Sequence, residues 1–163
     1  MVKQLLLCKR LMIEAASLAE QPDPVASGMA ISLLQDAVEM YIWALIKHRN
    51  IGVKDSSSFA ANLDAVQKEG IVLSHVAKIN ELNKARVGFK HYGNLPAPDE
   101  AGKFLAYVED FLRTCFSDHF KQDFDEISLV DLVSFTDVRT RLKSAEAHVA
   151  TGEYQKAAIE LAI

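Results

Sequence analysis

From residue 24 to residue 49 the chain runs Pro-Val-Ala-Ser-Gly-Met-Ala-Ile-Ser-Leu-Leu-Gln-Asp-Ala-Val-Glu-Met-Tyr-Ile-Trp-Ala-Leu-Ile-Lys-His-Arg, and this stretch constrains the fold more than any other. Ala26, Ala30, Leu33, Ala37, Met40 and Ala44 fall on one side of a helix, and Ile31, Leu34, Val38, Ile42 and Leu45 occupy much of the rest. Only Ser32, Gln35, Asp36 and Glu39 make a polar strip. A helix apolar over most of its circumference belongs in the middle of a bundle. Asp23-Pro24 is its start signal and Gly52 its expected stop.

Other segments supply the helices that would surround it. Leu5, Cys8, Met12, Ala15 and Ala19 recur at three- and four-residue steps, giving a first helix from about Val2 to Glu20 that Pro22 ends. Asp55-Ser56-Ser57-Ser58 offers caps for a third helix reaching about Glu69, closed by Gly70. A fourth runs from about Ile71 to Tyr92, stopped by Gly93 and by Pro96 and Pro98. Pro98-Asp99-Glu100 starts a fifth, with Phe104, Val108, Phe111 and Cys115 toward the core, reaching the Phe120 region. The expected fold is all-α: an up-and-down bundle of about five helices over 1–120, then a linker or arm over 121–135 that reads equally as a helical turn or as extended chain. A helical hairpin over 136–163 follows, capped at Thr136-Asp137. Ala145, Gly152, Tyr154 and Ala157 in that hairpin give it the spacing of a tetratricopeptide-type unit, the start of a repeat or of a second helical domain. Its apolar face, with Leu142, Val149, Tyr154 and Leu161, is expected to be covered.

Charge narrows the partners. Lys and Arg number 13 against 13 Asp and Glu over residues 1–116, and 5 against 9 over 117–163, so any contact with nucleic acid must be local. Cys8 and Cys115 stand alone, far from any zinc spacing. The start has too short an apolar run for a signal peptide, so a cytoplasmic chain without membrane, metal or cofactor is expected.

Chemistry is concentrated at the end of the fourth helix, in Asn83-Lys84-Ala85-Arg86-Val87-Gly88-Phe89-Lys90-His91-Tyr92-Gly93. His75, Asn83 and Arg86 share a stripe with Val72, Val76, Ile79, Leu82 and Phe89. Arg86 either pairs with Asp36 or Glu39 of the second helix and serves packing, or lines a cleft. His91 lies five residues on, about 140° around the helix, so the two meet across a relaxed helix end or between two subunits. Arg113 with His119 and Arg141 with His148 have similar spacing but lack the helix-end context.

The order of these elements and the pattern Asn83-x-x-Arg86-x-x-x-Lys90-His91-Tyr92-Gly93 resemble the HEPN (higher eukaryotes and prokaryotes nucleotide-binding) family and its Arg-x(4–6)-His motif, over about residues 3–116. The resemblance implies a homodimer whose Arg86 and His91 meet at the dimer cleft. It further implies metal-independent RNA cleavage through 2′-OH attack, in a bacterial defence or toxin system. Asn83, Lys84, Lys90 and Tyr92 would hold RNA, and Asp36 and Glu39 would support Arg86. The family also includes noncatalytic dimerisation and partner-binding modules, which is the alternative implied. Val87 stands where many active members carry a polar residue.

Overall fold

The computed structural model describes residues 2–162 of the 163 and contains seven α-helices and no strand among them. The chain divides into two compact units, residues 1–127 and 128–163.

In the first unit α1 (Val2–Ala19), α3 (Phe59–Lys68), α4 (Val76–Tyr92) and α5 (Glu100–Phe120) all pack on α2 (Pro24–Arg49), the helix whose composition demanded it. α2 is the one described helix long and apolar enough to cross a membrane, and 61% of that apolar window is buried within the bundle. Its start is as expected: the Asp23 carboxylate accepts from the N–H groups of Val25 and Ala26, and Pro24 takes the first helical position. Its end at Arg49 is also where the spacing places it, but the residue that closes it is Asn50 and not Gly52. Asn50 adopts the left-handed conformation (φ 54°), and the Ile51 N–H bonds back to Ile46 O at 2.9 Å, because Asn tolerates that conformation almost as well as glycine.

Buried polar atoms tie the helices together. The Cys8 thiol donates to Ala37 O (3.2 Å), and its burial pushes it up to about 12. The Tyr41 hydroxyl donates to Cys115 O (3.1 Å), and its ring is surrounded by Phe111, Phe116 and Phe120 at 5.3–5.7 Å. Phe104, Val108, Phe111 and Cys115 are buried as their spacing predicts.

α4 starts at Val76, five residues later than its spacing suggests. His75 takes a left-handed conformation (φ 51°), and residues 71–75 form a connector laid on α5. His75 Nε2 pairs with Asp110 Oδ2 (2.6 Å), and His119 Nε2 bonds to Val72 O (3.0 Å). His75 and Val72 are therefore not part of the α4 stripe, and Val72 is exposed. At its other end α4 is regular to the last turn: Gly93 (φ 68°) caps it, with Asn94 N–H on Gly88 O (3.1 Å) and Gly93 N–H on Phe89 O (3.2 Å).

Two small residues of α2 set where that end lies. Gly28 lets the Phe89 ring sit flush on the α2 backbone, since a Cβ there would overlap the ring. Ser27, fully buried, donates to Ala97 O (2.9 Å) and accepts from the Ala101 N–H (3.3 Å). It thus caps α5 from another helix, a task that Asp99 does not perform with its own side chain.

In the second unit residues 128–135 hold one 3-10 turn, Leu129–Leu132. α6 (Thr136–Ala150) and α7 (Tyr154–Leu161) form the hairpin, turning at Gly152 (φ 75°). Thr136 is the first helical residue rather than the cap; Phe135 holds the cap position without a side-chain bond. Ala145 and Ala157 are buried between the helices, and His148 pairs with Glu153 at 2.8 Å. Leu142 is half-buried, whereas Val149, Tyr154 and Leu161 are exposed. The contact between the two helices is made at the alanines, and these three larger apolar side chains lie outside it.

Ser27→Ala leaves a buried N–H and a carbonyl without their partner and is expected to cost about 1–3 kcal/mol. For a chain of this size that is a fall of about 3–8 °C in melting temperature. Gly28→Ala is expected to destabilise by a similar amount through displacement of Phe89. Thermal melts of both variants check this; an unchanged melting temperature in Ser27→Ala would show that water replaces the hydroxyl at no cost.

Candidate functional site

Arg86 sits on the side of α4 that faces α2, in the same angular sector as the buried Ile79 and Leu82. The aliphatic stem of Arg86 shares the interhelical surface with them. Its Nη2 lies 3.8 Å from Asp36 Oδ1, with side chains 23% and 37% exposed. That is a charge contact beyond hydrogen-bond length. Nε is buried and has no hydrogen-bond partner, which leaves the 3.8 Å approach to Asp36 as the charge contact of this guanidinium.

Of the two acids that the sequence offers, Asp36 is therefore the one that pairs with Arg86. Glu39 instead accepts from the buried Gln35 side chain, Nε2 to Oε2 at 3.1 Å. Half-burial raises the Asp36 carboxyl above its ordinary value; Arg86 and then Lys90 pull it back, and Glu39 pushes it up again. Asp36, Glu39, Arg86 and Lys90 thus form a four-charge group along the α2/α4 seam, two of each sign.

His91 occupies the last turn of α4 and is exposed. Five positions from Arg86 along a regular helix put it about 140° away. The capping bonds at Gly88 and Phe89 leave no distortion to close that angle. Within one protomer the two do not share a face of α4. Asn83 is half-buried and Lys84, Lys90 and Tyr92 are exposed, Tyr92 at 75%. By helical position Asn83 and Lys90 flank Arg86, while Lys84 lies on the far side, toward His91.

Lys84 borders a shallow groove of about 470 Å³ between α4, the 94–96 segment and α5. Neither Arg86 nor His91 lines it. Sequence reasoning missed this groove because the loop after Gly93 makes it by folding back over Gly88; the signal available was Gly93 with the two prolines that follow.

The rival pairs are occupied in structural work. Arg113 Nε bonds to Asp125 Oδ2 (2.9 Å), and His119 holds Val72 O. His148 is held by Glu153 within the hairpin. Among the described residues no group of three or more His, Cys, Asp or Glu side chains is placed to hold a metal ion.

Removing Arg86 leaves the Asp36 carboxylate half-buried and unpaired. Both groups are partly open to solvent, so Arg86→Ala is expected to cost about 1–2 kcal/mol near neutral pH, less than for a fully buried pair. The raised carboxyl fixes the sign: without Arg86 it rises further, and the folded state binds a proton that the unfolded state does not. The deficit should therefore shrink as pH falls toward that carboxyl's range and persist above it. Urea melts at several pH values check this; a deficit independent of pH would mean that the stem, not the charge, carries the effect.

Compared with protein-family models, curated proteins and solved structures, the chain finds no match.

Proposed function

We propose that this protein is a HEPN-like, metal-independent endoribonuclease working as a homodimer, the cytoplasmic effector of a bacterial defence or toxin system. The observation that supports it best is the state of Arg86. Its guanidinium lies in the seam between two core helices, with Nη2 beyond hydrogen-bond length from Asp36. Its partly exposed Nη groups are open to a phosphate, whereas the buried Nε is not.

RNA brings its own nucleophile, the 2′-OH. The protein need only move protons and stabilise charge on the phosphorane, work suited to an imidazole and a guanidinium. His91 is solvent-exposed in the last turn of the helix that carries Arg86. Since the two do not share a face of α4, His91 of one copy would work with Arg86 of the other. The products would be a 2′,3′-cyclic phosphate and a 5′-OH. Lys90 lies on the Arg86 side and would neutralise a flanking phosphate.

A second reading, a noncatalytic dimerisation or partner-binding module, is favoured by one observation: the carboxylate of Asp36 offsets the charge of Arg86 where a phosphate would have to bind.

Incubation with single-stranded RNA in the presence of a chelator separates the two. The enzyme reading expects cleavage to cyclic-phosphate ends, reduced at least about 100-fold in His91→Ala and in Arg86→Ala, the usual scale for loss of a proton-transfer or charge-stabilising group. His91 is exposed, so its variant should melt with the parent. A folded, dimeric parent that cleaves no RNA would leave the interaction-module reading standing alone.

A further inference from the structure

α2 is the most apolar long helix of the chain and sits at the middle of the first unit, but its neighbours do not enclose it. At 100° per residue, Val25, Met29, Ser32, Asp36, Met40 and Trp43 fall within about 80° of one another. None of the six is fully buried: Val25 and Met29 are 46% and 49% exposed, and Met40 and Trp43, whose inner sides pack against the core, remain partly open. The opposite sectors, with Ile31, Leu34, Val38, Ile42 and Leu45, are sealed by the other helices. A central helix that turns a mostly apolar stripe outward lacks one neighbour.

We infer that the missing neighbour is a second copy of this chain, with the outward stripes of two α2 helices laid antiparallel about a two-fold axis level with Leu34. Three features of the stripe support this occupant. Its residues pair with themselves under that operation: Val25 meets Trp43 of the second copy, Ser32 meets Asp36, and Met29 lies beside Met40, as a two-fold interface requires. The Ser32 hydroxyl, which donates to Gly28 O (3.0 Å) within one chain, would exchange that bond for a charge-assisted one to a carboxylate that is already half-buried. The charges in and beside the stripe also cancel, Asp36 and Glu39 against Arg86 and Lys90, so an identical face carries no net repulsion. A polyanion would gain little from it.

Size sets the scale of this contact. From Val25 to Trp43 the stripe is about 27 Å long at 1.5 Å per residue. With the edge of α4 it would bury on the order of 1,000 Å² in total, the lower end of specific interfaces, so the dimer is to be sought at high concentration. The inference rests on the proposed function only in sharing its two-copy arrangement, and it adds where the copies touch and in which direction.

Sedimentation of the full chain up to about 300 µM should show a dimer. Met29→Glu should shift it to monomer with little change in melting temperature, because Met29 is half open to solvent. Under mild oxidation the double variant Met29→Cys/Met40→Cys should form a disulfide-linked dimer, whereas neither single variant should. Cys8 and Cys115 are buried and will not contribute. A monomer at the highest concentration overturns the inference. So does a dimer indifferent to Met29→Glu, or one cross-linked by Met29→Cys alone, which would mean a parallel pairing. RNA cleavage read on the same samples keeps the two ideas apart: this dimer without cleavage sinks only the ribonuclease, and cleavage without this seam sinks only the inference.

Discussion

The need to bury α2 on nearly every side organises the first unit. A 26-residue helix with apolar side chains around most of its circumference is stable only when other helices take that surface from water. α1, α3, α4 and α5 each do so with a narrower apolar face of their own. Each of those four can be polar on its outer side because α2 is not. The close approaches then follow from what α2 offers at each level: the Ala37 carbonyl to Cys8, the Tyr41 ring to the phenylalanines of α5, and bare backbone at Gly28 to Phe89. The two polar side chains near its start, Ser27 and Asp23, are spent on helix ends and not on partners across the core.

Much of this is legible from local pattern. Asp23-Pro24, Ser58, Gly70 and Gly93 mark helix ends by chemistry that acts within a few residues, and those ends are where the sequence puts them. The features that are not legible depend on contacts between distant residues. α4 begins only after His75, whose left-handed backbone coincides with a bond from its ring to Asp110, thirty-five residues on. Ile71 and Val72 have helical spacing, but the His119 bond to Val72 O takes a carbonyl the helix would have needed. Likewise, Ser27 looks like an ordinary helix residue until Ala97 and Ala101 are brought beside it.

At the candidate site the sequence identifies the partners better than the arrangement. An acid of α2 beside Arg86 is foreseeable, since a guanidinium on a core-facing stripe needs a countercharge. Which acid is not: Asp36 and Glu39 differ by three residues, and the choice falls to Asp36 because Gln35 already engages Glu39 one turn along. The separation of Arg86 from His91 follows from a spacing of five residues and is legible in the sequence alone. What the fold adds is that the helix end does not relax to close it, because the Gly93 cap keeps α4 regular through its last turn.

That regularity connects stability to function. If the end of α4 frayed, Arg86 and His91 could meet within one chain, but the Phe89 ring would leave Gly28 and the 94–99 segment would lose its anchor at Ser27. The bonds that hold the segment also hold the helix end, so the chain cannot bring the two groups together by local unfolding without giving up the packing of α4 on α2. A rigid helix with its two chemically useful residues on different faces is a poor monomeric site. Under the proposed function the complementary face therefore has to come from outside the protomer.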